Sequence, residues 1–246
     1  DSFVFFDDDP VNRELIKENM PEITTPDLPH DPSFYSEVIQ SLHDFSTFQI
    51  TSEDTKRGQM YLEQKQRIES QNSLSDISEF LKTLNLEIEI KKTNSFTIPR
   101  ISQLTLKTNQ FNLTTKRYQE DQIQKFSEDN DILINCAQIK DKFGDNGITG
   151  VFIVKKTNSD EWFLDTFLLS CRVMGREAEK AMLYFIINQA KKNNVKRLKA
   201  KFIPTLKNKP IEDFLSNSQF YEENGFWIYN LEKPFNIPDF LTLREE

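Results

Sequence analysis

The stretch that decides the fold is residues 131–156, DILINCAQIKDKFGDNGITGVFIVKK. Two apolar runs, 131–140 and 148–156, predict strands, and the GDNG between them predicts the turn of a β-hairpin. Working outward, apolar residues that alternate or run continuously predict strands at 86–90, 162–169, 198–202 and 226–229. Apolar residues at helical spacing predict helices at 99–106, 118–126, 178–190 and 211–215. The predicted order, β-α-α-β-β-β-α-β-α-β, indicates an α/β (α+β) fold with a mixed sheet.

Length and charge narrow the functional classes. The chain has 246 residues, a net charge of −8 and 21 Phe, so it is long enough for two domains and can build a core. No apolar run approaches the ~18 residues that span a bilayer, so we expect no membrane partner. The acidic balance argues against nucleic acid as the main partner. Only two cysteines are present, which favours a reducing cytoplasmic location.

The first 85 residues predict an incomplete domain. Residues 3–6 (FVFF) are an apolar run typical of a strand buried on both faces, and Asp9-Pro10 begins a helix. Three further helices are predicted, at 32–42, 53–70 and 75–84. A buried strand needs neighbours on both sides, so we expect further strands upstream of Asp1. The predicted domains are therefore 1–85 and 86–246.

A loop rich in arginine connects the third hairpin strand to the long helix. It reads Arg172-Val173-Met174-Gly175-Arg176-Glu177. Together with the order of elements, it resembles the phosphate-binding loop of GNAT acyltransferases, in which backbone N–H groups at a helix N-terminus hold a diphosphate. The side chain and negative charge of Glu177 depart from that pattern. The segment Phe220-Tyr221-Glu222-Glu223-Asn224-Gly225-Phe226 resembles the same family's ending, which implies Tyr221 as the acid that protonates a leaving thiolate.

Five blocks together resemble a narrower family, the FkbH-like subfamily of haloacid-dehalogenase-like (HAD) phosphotransferases. They are FFDDDPVNRE (5–14), QLTLKTNQFNLTT (103–115), KFGDNG (142–147), LLSCRVMGR (168–176) and PTLKN (204–208). The resemblance implies a remnant of a HAD-like Rossmannoid domain followed by a GNAT-like domain. It further implies a protein that loads a glyceryl unit from a phosphorylated three-carbon donor, 1,3-bisphosphoglycerate, onto an acyl carrier protein in polyketide biosynthesis. The HAD nucleophile motif is not found in this sequence.

Candidate site residues follow from these blocks. Asp7 and Asp8 end a strand, and paired carboxylates there suit Mg²⁺ in an intact HAD domain; the alternative is a helix-capping acidic turn. Amides and hydroxyls in the 103–115 block suggest a substrate pocket, or else helix caps. Its members are Asn109, Gln110, Asn112 and Thr114.

The thioester side of the site has its own candidates. Cys171 lies beside arginines, which favours a thiolate, although a small core residue is the alternative. Binding of acetyl-CoA or phosphopantetheine is assigned to Arg172, Met174, Gly175, Arg176, Lys207 and Asn208. A run of basic residues from Lys191 to Lys209 contains no acid and could dock an acidic carrier, or could simply be a solvated surface.

Three functional hypotheses remain open. The first is the C-terminal portion of an FkbH-like carrier-loading enzyme. The second is a CoA-dependent GNAT N-acyltransferase. The third is a non-catalytic module that recognises a carrier. Glu177 argues against tight CoA binding and so favours the first and the third.

Overall fold

The computed structural model describes residues 4–21, 23–42, 57–74 and 76–246. Its contacts divide the chain into two compact units, 1–50 and 51–246. This division differs from the predicted boundary at 85/86, and the assignment of residues 1–85 to a HAD-like domain stays a prediction. In the part of the chain described, no helix is both long and apolar enough to cross a membrane.

The described residues of the first unit form two α-helices, α1 (Pro10–Asn19) and α2 (Tyr35–Ser41), and a 3₁₀ turn, Pro32–Phe34. Asp9 caps α1 by accepting a hydrogen bond from the N–H of Val11 at 2.8 Å, as Asp9-Pro10 predicts. Val4 forms a parallel bridge with Thr24. The described part of the predicted FVFF strand is half-buried rather than fully buried, and Phe3 lies outside the described residues.

The second unit is built on one mixed sheet. Its strands are β1 (Leu86–Lys92), β2 (Phe111–Asn112), β3 (Ile132–Asp141), β4 (Gly144–Lys155), β5 (Glu161–Leu169), β6 (Arg197–Ala200), β7 (Tyr221–Glu223), β8 (Phe226–Asn230) and β9 (Leu241–Glu245). The order across the sheet is β7-β8-β6-β5-β4-β3-β1-β9, with β2 paired to β5. The β5–β6 and β1–β9 pairs are parallel and the others antiparallel. The α/β class with a mixed sheet is thereby confirmed.

Six helices of this unit are described: α3 (Arg57–Asn72), α4 (Ile77–Thr83), α5 (Ile98–Lys107), α6 (Glu120–Glu128), α7 (Ala178–Lys192) and α8 (Lys209–Asn217). One apolar cluster joins α7 and α8 to one face of the sheet through Phe185, Ile186 and Phe214. A second cluster joins α5 and α6 to the other face through Ile101 and Ile123. The predicted start of α3 at Glu53 lies outside the described residues.

The hairpin turn is not where the GDNG sequence predicts it. Asp141 pairs with Gly144, so the connecting residues are Lys142 and Phe143. The Asp141 carboxylate accepts hydrogen bonds from the N–H groups of Phe143 (2.9 Å) and Gly144 (3.2 Å), and this side-chain cap determines the turn. Asn146 and Gly147 instead fall where the register of the strands shifts.

A buried ionic cluster joins α3 to the tip of this hairpin. The guanidinium of Arg67 donates two hydrogen bonds to Asp141, at 2.7 and 2.9 Å, and Arg176 donates a third at 3.0 Å. The Asp141 side chain is fully buried. Glu63 lies so close to Gly144 that a Cβ there would come within 2.1 Å of its carboxylate, so a side chain at this position would displace that carboxylate.

Replacing Asp141 with alanine should destabilise the second unit by about 3–5 kcal/mol, because two buried arginines lose their shared carboxylate. Urea unfolding followed by circular dichroism measures the change. The control Asp239→Ala removes an exposed carboxylate and should alter the free energy of unfolding by less than about 0.5 kcal/mol. A loss below about 1 kcal/mol for Asp141→Ala would show that the cluster contributes little.

Candidate functional site

The loop before α7 contains a glycine that its backbone conformation requires. Gly175 has a φ of +76°, and Glu177, immediately before α7, has a φ of +63°. A Cβ on Gly175 would meet no atom within 4 Å, so conformation rather than space selects glycine. Glu177, the residue before α7, makes no side-chain capping hydrogen bond, which leaves backbone N–H donors available in the first turn of the helix.

A cleft of about 570 Å³ lies between the start of α7 and α8. Its walls combine apolar, acidic and small polar groups: Phe111, Met174, Gly175, Glu177, Glu179, Lys180, Pro210, Asp213, Phe214, Asn217 and Ser218. Four of these recur on α8 at positions 210, 213, 214 and 217, the spacing of one helical face. Of the predicted site residues, only Met174 and Gly175 are among these lining residues.

Ion pairs compensate most of the charge in this cleft. Glu177 pairs with Lys180 at 2.8 Å, and Asp213 pairs with Lys209 at 3.0 Å. Burial raises the pKa of Glu179 to about 7, and its Oε2 is buried without a hydrogen-bond partner among the described residues. Lys180 is the only cation among the described lining residues. The cleft is therefore close to neutral and offers no unpaired cation to a phosphate.

The two arginines of the loop do not line the cleft. Arg176 is buried against the hairpin tip, where it contacts Asp141 (3.0 Å), Asn146 (3.3 Å) and Gln64 (3.0 Å). Burial lowers its pKa to about 10. Arg172 Nη1 lies 3.3 Å from the sulfur of Met60. The geometry thus gives Arg176 a structural position, and a role for either arginine in cofactor binding stays a prediction.

The predicted substrate block divides into an exposed and a buried half. Asn109 and Gln110 are exposed. Asn112 is fully buried; its amide donates to the carbonyl of Thr108 at 3.0 Å and accepts from the N–H of Thr115 at 3.0 Å. The buried Thr114 hydroxyl donates to the carbonyl of Asp165 at 3.0 Å. These two polar side chains hydrogen-bond to the backbone, and their role in a substrate pocket stays a prediction.

Residues 111–113 close an edge of the sheet. β6 pairs with β5 only from Glu161 to Leu164. Beyond that point Phe111 and Asn112 pair with β5, and the N–H of Leu113 donates to the carbonyl of Phe167 at 3.0 Å. Where the chain separates from β5 after β6, residues 111–113 therefore take the place of β6 beside β5.

Asn208 connects this segment to the loop that follows β6. Its fully buried amide donates to the carbonyls of Asn112 (3.0 Å) and Ile203 (2.9 Å) and accepts from the N–H of Thr205 (2.7 Å). Lys207, next to it, is exposed. Asn208 therefore fixes the backbone of residues 112, 203 and 205, whereas the exposed side chain of Lys207 is accessible to a binding partner.

The two predicted catalytic residues lie outside the group that lines the cleft. Cys171 is exposed in a short 3₁₀ turn, Cys171–Val173. Tyr221 is exposed on β7. The structure does not bring either side chain into the cleft, and their catalytic roles stay predictions.

A buried aspartate on β5 is a polar centre that the sequence analysis missed. Asp165 accepts from Lys116 (2.6 Å) and Lys155 (3.0 Å) on one oxygen, and from Tyr118 (2.7 Å) on the other. Burial alone would raise its pKa, but the hydrogen bonds of these three side chains outweigh burial and lower it. Asp165 is thus held in its ionised form, and both of its carboxylate oxygens already accept hydrogen bonds from side chains. This arrangement suits a structural role better than that of a general base. An aspartate within an apolar strand was the available signal.

Asp7 and Asp8 do not complete a cation site with the described residues. The carboxylate of Asp7 accepts from the N–H of Asp9 (2.8 Å) and the amide of Asn12 (3.3 Å). Among the residues described, no group of three or more His, Cys, Asp or Glu could hold a metal ion. The pair alone therefore does not fit Mg²⁺, and the metal site stays a prediction for a larger protein.

No protein-family model and no curated protein sequence matches the chain. Among solved structures it is similar to the ribosomal-protein-S18-alanine N-acetyltransferase from Escherichia coli, with 12% identity and a TM-score of 0.46, covering 60% of this chain and 96% of that one. It is similar to a GNAT-family acetyltransferase from Staphylococcus aureus, with 16% identity and a TM-score of 0.44, covering 58% and 99%. An N-acetyltransferase from Thermoplasma acidophilum in complex with coenzyme A gives 16% identity and a TM-score of 0.41, covering 57% and 96%. Likenesses this distant carry no argument about activity.

Glu179 should make stability depend on pH. Its folded pKa, about 7, lies above the ordinary 4.5, so the folded state binds the proton more tightly and loses stability as pH rises between those values. Relative to the wild type, Glu179→Gln should therefore gain about 2 kcal/mol of unfolding free energy between pH 5.5 and pH 8.5. Urea unfolding at both values measures it. The exposed Glu222→Gln is the control, and an equal change in both variants would contradict the burial of Glu179.

Proposed function

We propose that the second unit handles thioesters by taking the pantetheine arm of an acyl carrier protein rather than free coenzyme A. The observation that carries the proposal is the composition of the cleft at the start of α7. It combines apolar walls with small polar groups, while its acids are paired or desolvated and Lys180, its only described cation, is already paired.

Pantetheine and coenzyme A differ in charge, and so they require different binding sites. A pantetheine chain is neutral and carries two amides, which suits apolar walls with a few hydrogen-bonding groups. Coenzyme A adds a diphosphate and a ribose phosphate, and proteins usually hold such groups with arginine or lysine. When the arm belongs to a carrier, the carrier's own surface supplies further contacts, and the single phosphodiester can remain outside the cleft.

The resemblance to FkbH-like proteins supports a more specific role. On that hypothesis the arm receives a glyceryl unit whose source is a phosphorylated three-carbon donor. A complete HAD-like domain would supply the Mg²⁺-dependent phosphoryl chemistry, to which Asp7 and Asp8 would contribute. The second unit would then hold the carrier-bound thiol where it accepts the acyl group.

A CoA-dependent N-acyltransferase is the second candidate. The observation in its favour is the Gly175 turn with the uncapped first turn of α7, which offers backbone N–H donors of the kind that bind phosphate. The acidic groups around that turn weaken this candidate, since Glu177 and Glu179 precede or occupy the first helical turn.

Calorimetric titration of the chain with acetyl-pantetheine and with acetyl-CoA tests the proposal. We expect dissociation constants within about threefold of each other, because the additional phosphates of CoA find no cation. Acetyl-CoA binding more than about tenfold tighter would favour the second candidate. If neither compound binds, the proposal that the cleft receives a pantetheine arm is wrong.

A charge-introducing variant sharpens this test. Asn217→Lys places a cation at the exposed rim of the cleft and should strengthen acetyl-CoA binding severalfold while leaving acetyl-pantetheine unchanged. Ser216→Lys is the matched control, because Ser216 is the exposed neighbour on α8 that does not line the cleft. Equal effects of the two variants would indicate nonspecific attraction.

A further inference from the structure

The loop between β6 and α8 exposes large apolar side chains. Leu206 is fully exposed, and Ile203 is 38% exposed. Single exposed apolar residues are common, but two of them within four positions of one loop form a small apolar tip. That tip lies in the basic run which the sequence analysis singled out.

The loop is held in place despite its exposure. The N–H of Ile203 donates to the carbonyl of Leu113 at 3.1 Å, and Asn208 fixes both Ile203 and Thr205. The N–H of Lys207 donates to the hydroxyl of Thr205 at 3.3 Å. A partner that binds this loop would therefore lose little conformational entropy in ordering it.

Part of the unpaired positive charge of the basic run lies at the same loop. Neighbouring cations are paired with carboxylates: Lys196 with Asp160, Arg197 and Lys199 with Glu161, and Lys209 with Glu212. Lys201 and Lys207 form no ion pair with any described residue, and both are exposed. The predicted basic surface is thus largely neutralised on β6. The cations that pair with no described carboxylate lie at the loop and, as Lys191 and Lys192, at the end of α7; only those of the loop accompany exposed apolar side chains.

The loop and the cleft adjoin through α8. Asn208 is the residue before α8, and Pro210, in its first turn, lines the cleft. A protein bound to the loop would therefore lie beside the opening through which an attached arm enters.

We propose that residues 201–207 form the docking loop for an acidic carrier protein, with Leu206 and Ile203 as its apolar contacts and Lys201 and Lys207 as its charge contacts. This inference rests on the proposed function, because it names the surface that receives the carrier whose arm enters the cleft. Charge complementarity selects an acidic partner, and the apolar tip supplies a buried contact at the centre of the interface.

The test uses the full chain and a polyketide-type acyl carrier protein in its apo and holo forms. Apo carrier lacks the arm, so its binding reports on docking alone, whereas acetyl-pantetheine reports on the cleft alone. We expect Lys207→Glu to weaken binding of both carrier forms at least tenfold and Leu206→Ser about fivefold. Leu206→Ser should not change binding of acetyl-pantetheine.

Lys192→Glu is the control, since it reverses an exposed charge of the same basic run at the far end of α7. It should change carrier affinity less than twofold. If the holo carrier binds and all three variants bind it equally, the docking loop is wrong while the proposed function stands. If acetyl-pantetheine fails to bind but the apo carrier binds in a Lys207-dependent way, the docking loop stands and the cleft assignment fails. Absence of binding to both carrier forms would overturn the inference.

Discussion

The pairing of residues 111–113 with β5 is the constraint on which the candidate site depends. Because β6 accompanies β5 only as far as Leu164, the rest of that edge needs another partner for its backbone groups. The chain supplies one from between α5 and α6, and the fully buried Asn208 amide secures it. Each of these hydrogen bonds contributes about 1 kcal/mol, and opening the edge would break several at once. Phe111 is thereby fixed as part of the cleft wall.

The arginines of the loop before α7 are of the type expected in a phosphate-binding loop, but neither of them lines the cleft. Arg176 would neutralise an anion at the helix N-terminus if it extended outward. It extends instead toward Asp141, where it shares a buried carboxylate with Arg67. The loop therefore serves the packing of α3 against the hairpin, and the helix start faces the carboxylates of Glu177 and Glu179. On the proposed function, this charge balance favours an uncharged ligand.

The order of the longer elements could be predicted because apolar residues repeat with the period of a strand or a helix. β2 and β7 were missed because two and three residues are too few to establish a period. β9 is as long as β8, and its Leu241 and Leu243 alternate with polar residues, so the same pattern could have predicted it. The hairpin turn was misplaced because one side chain, Asp141, overrides the glycine-rich sequence that follows it. The cleft was missed because its walls come from three separated segments, around residues 111, 177 and 214. Spacing along α8 was the only local sign.

The composition of the polar block could be predicted from the sequence, but the hydrogen-bond partners of its side chains could not. Asn112, Thr114 and Asn208 have the amide and hydroxyl groups of a binding pocket, yet the structure uses them on backbone partners. The sequence does not distinguish amides that bind a ligand from amides that bind the backbone, because a buried amide can form its hydrogen bonds equally well with either. Only burial and hydrogen-bond geometry tell the two uses apart.

Asn208 also couples the proposed docking loop to the closed edge of the sheet. One amide nitrogen donates both to Asn112, in the segment that fills the edge, and to Ile203, in the loop. If either segment moved, the Asn208 side chain would shift with it, and its hydrogen bond to the other segment would weaken. In the proposed complex the arm consequently lies in the cleft beside α7, with Phe111 as its wall, and does not replace residues 111–113 as a strand of the sheet.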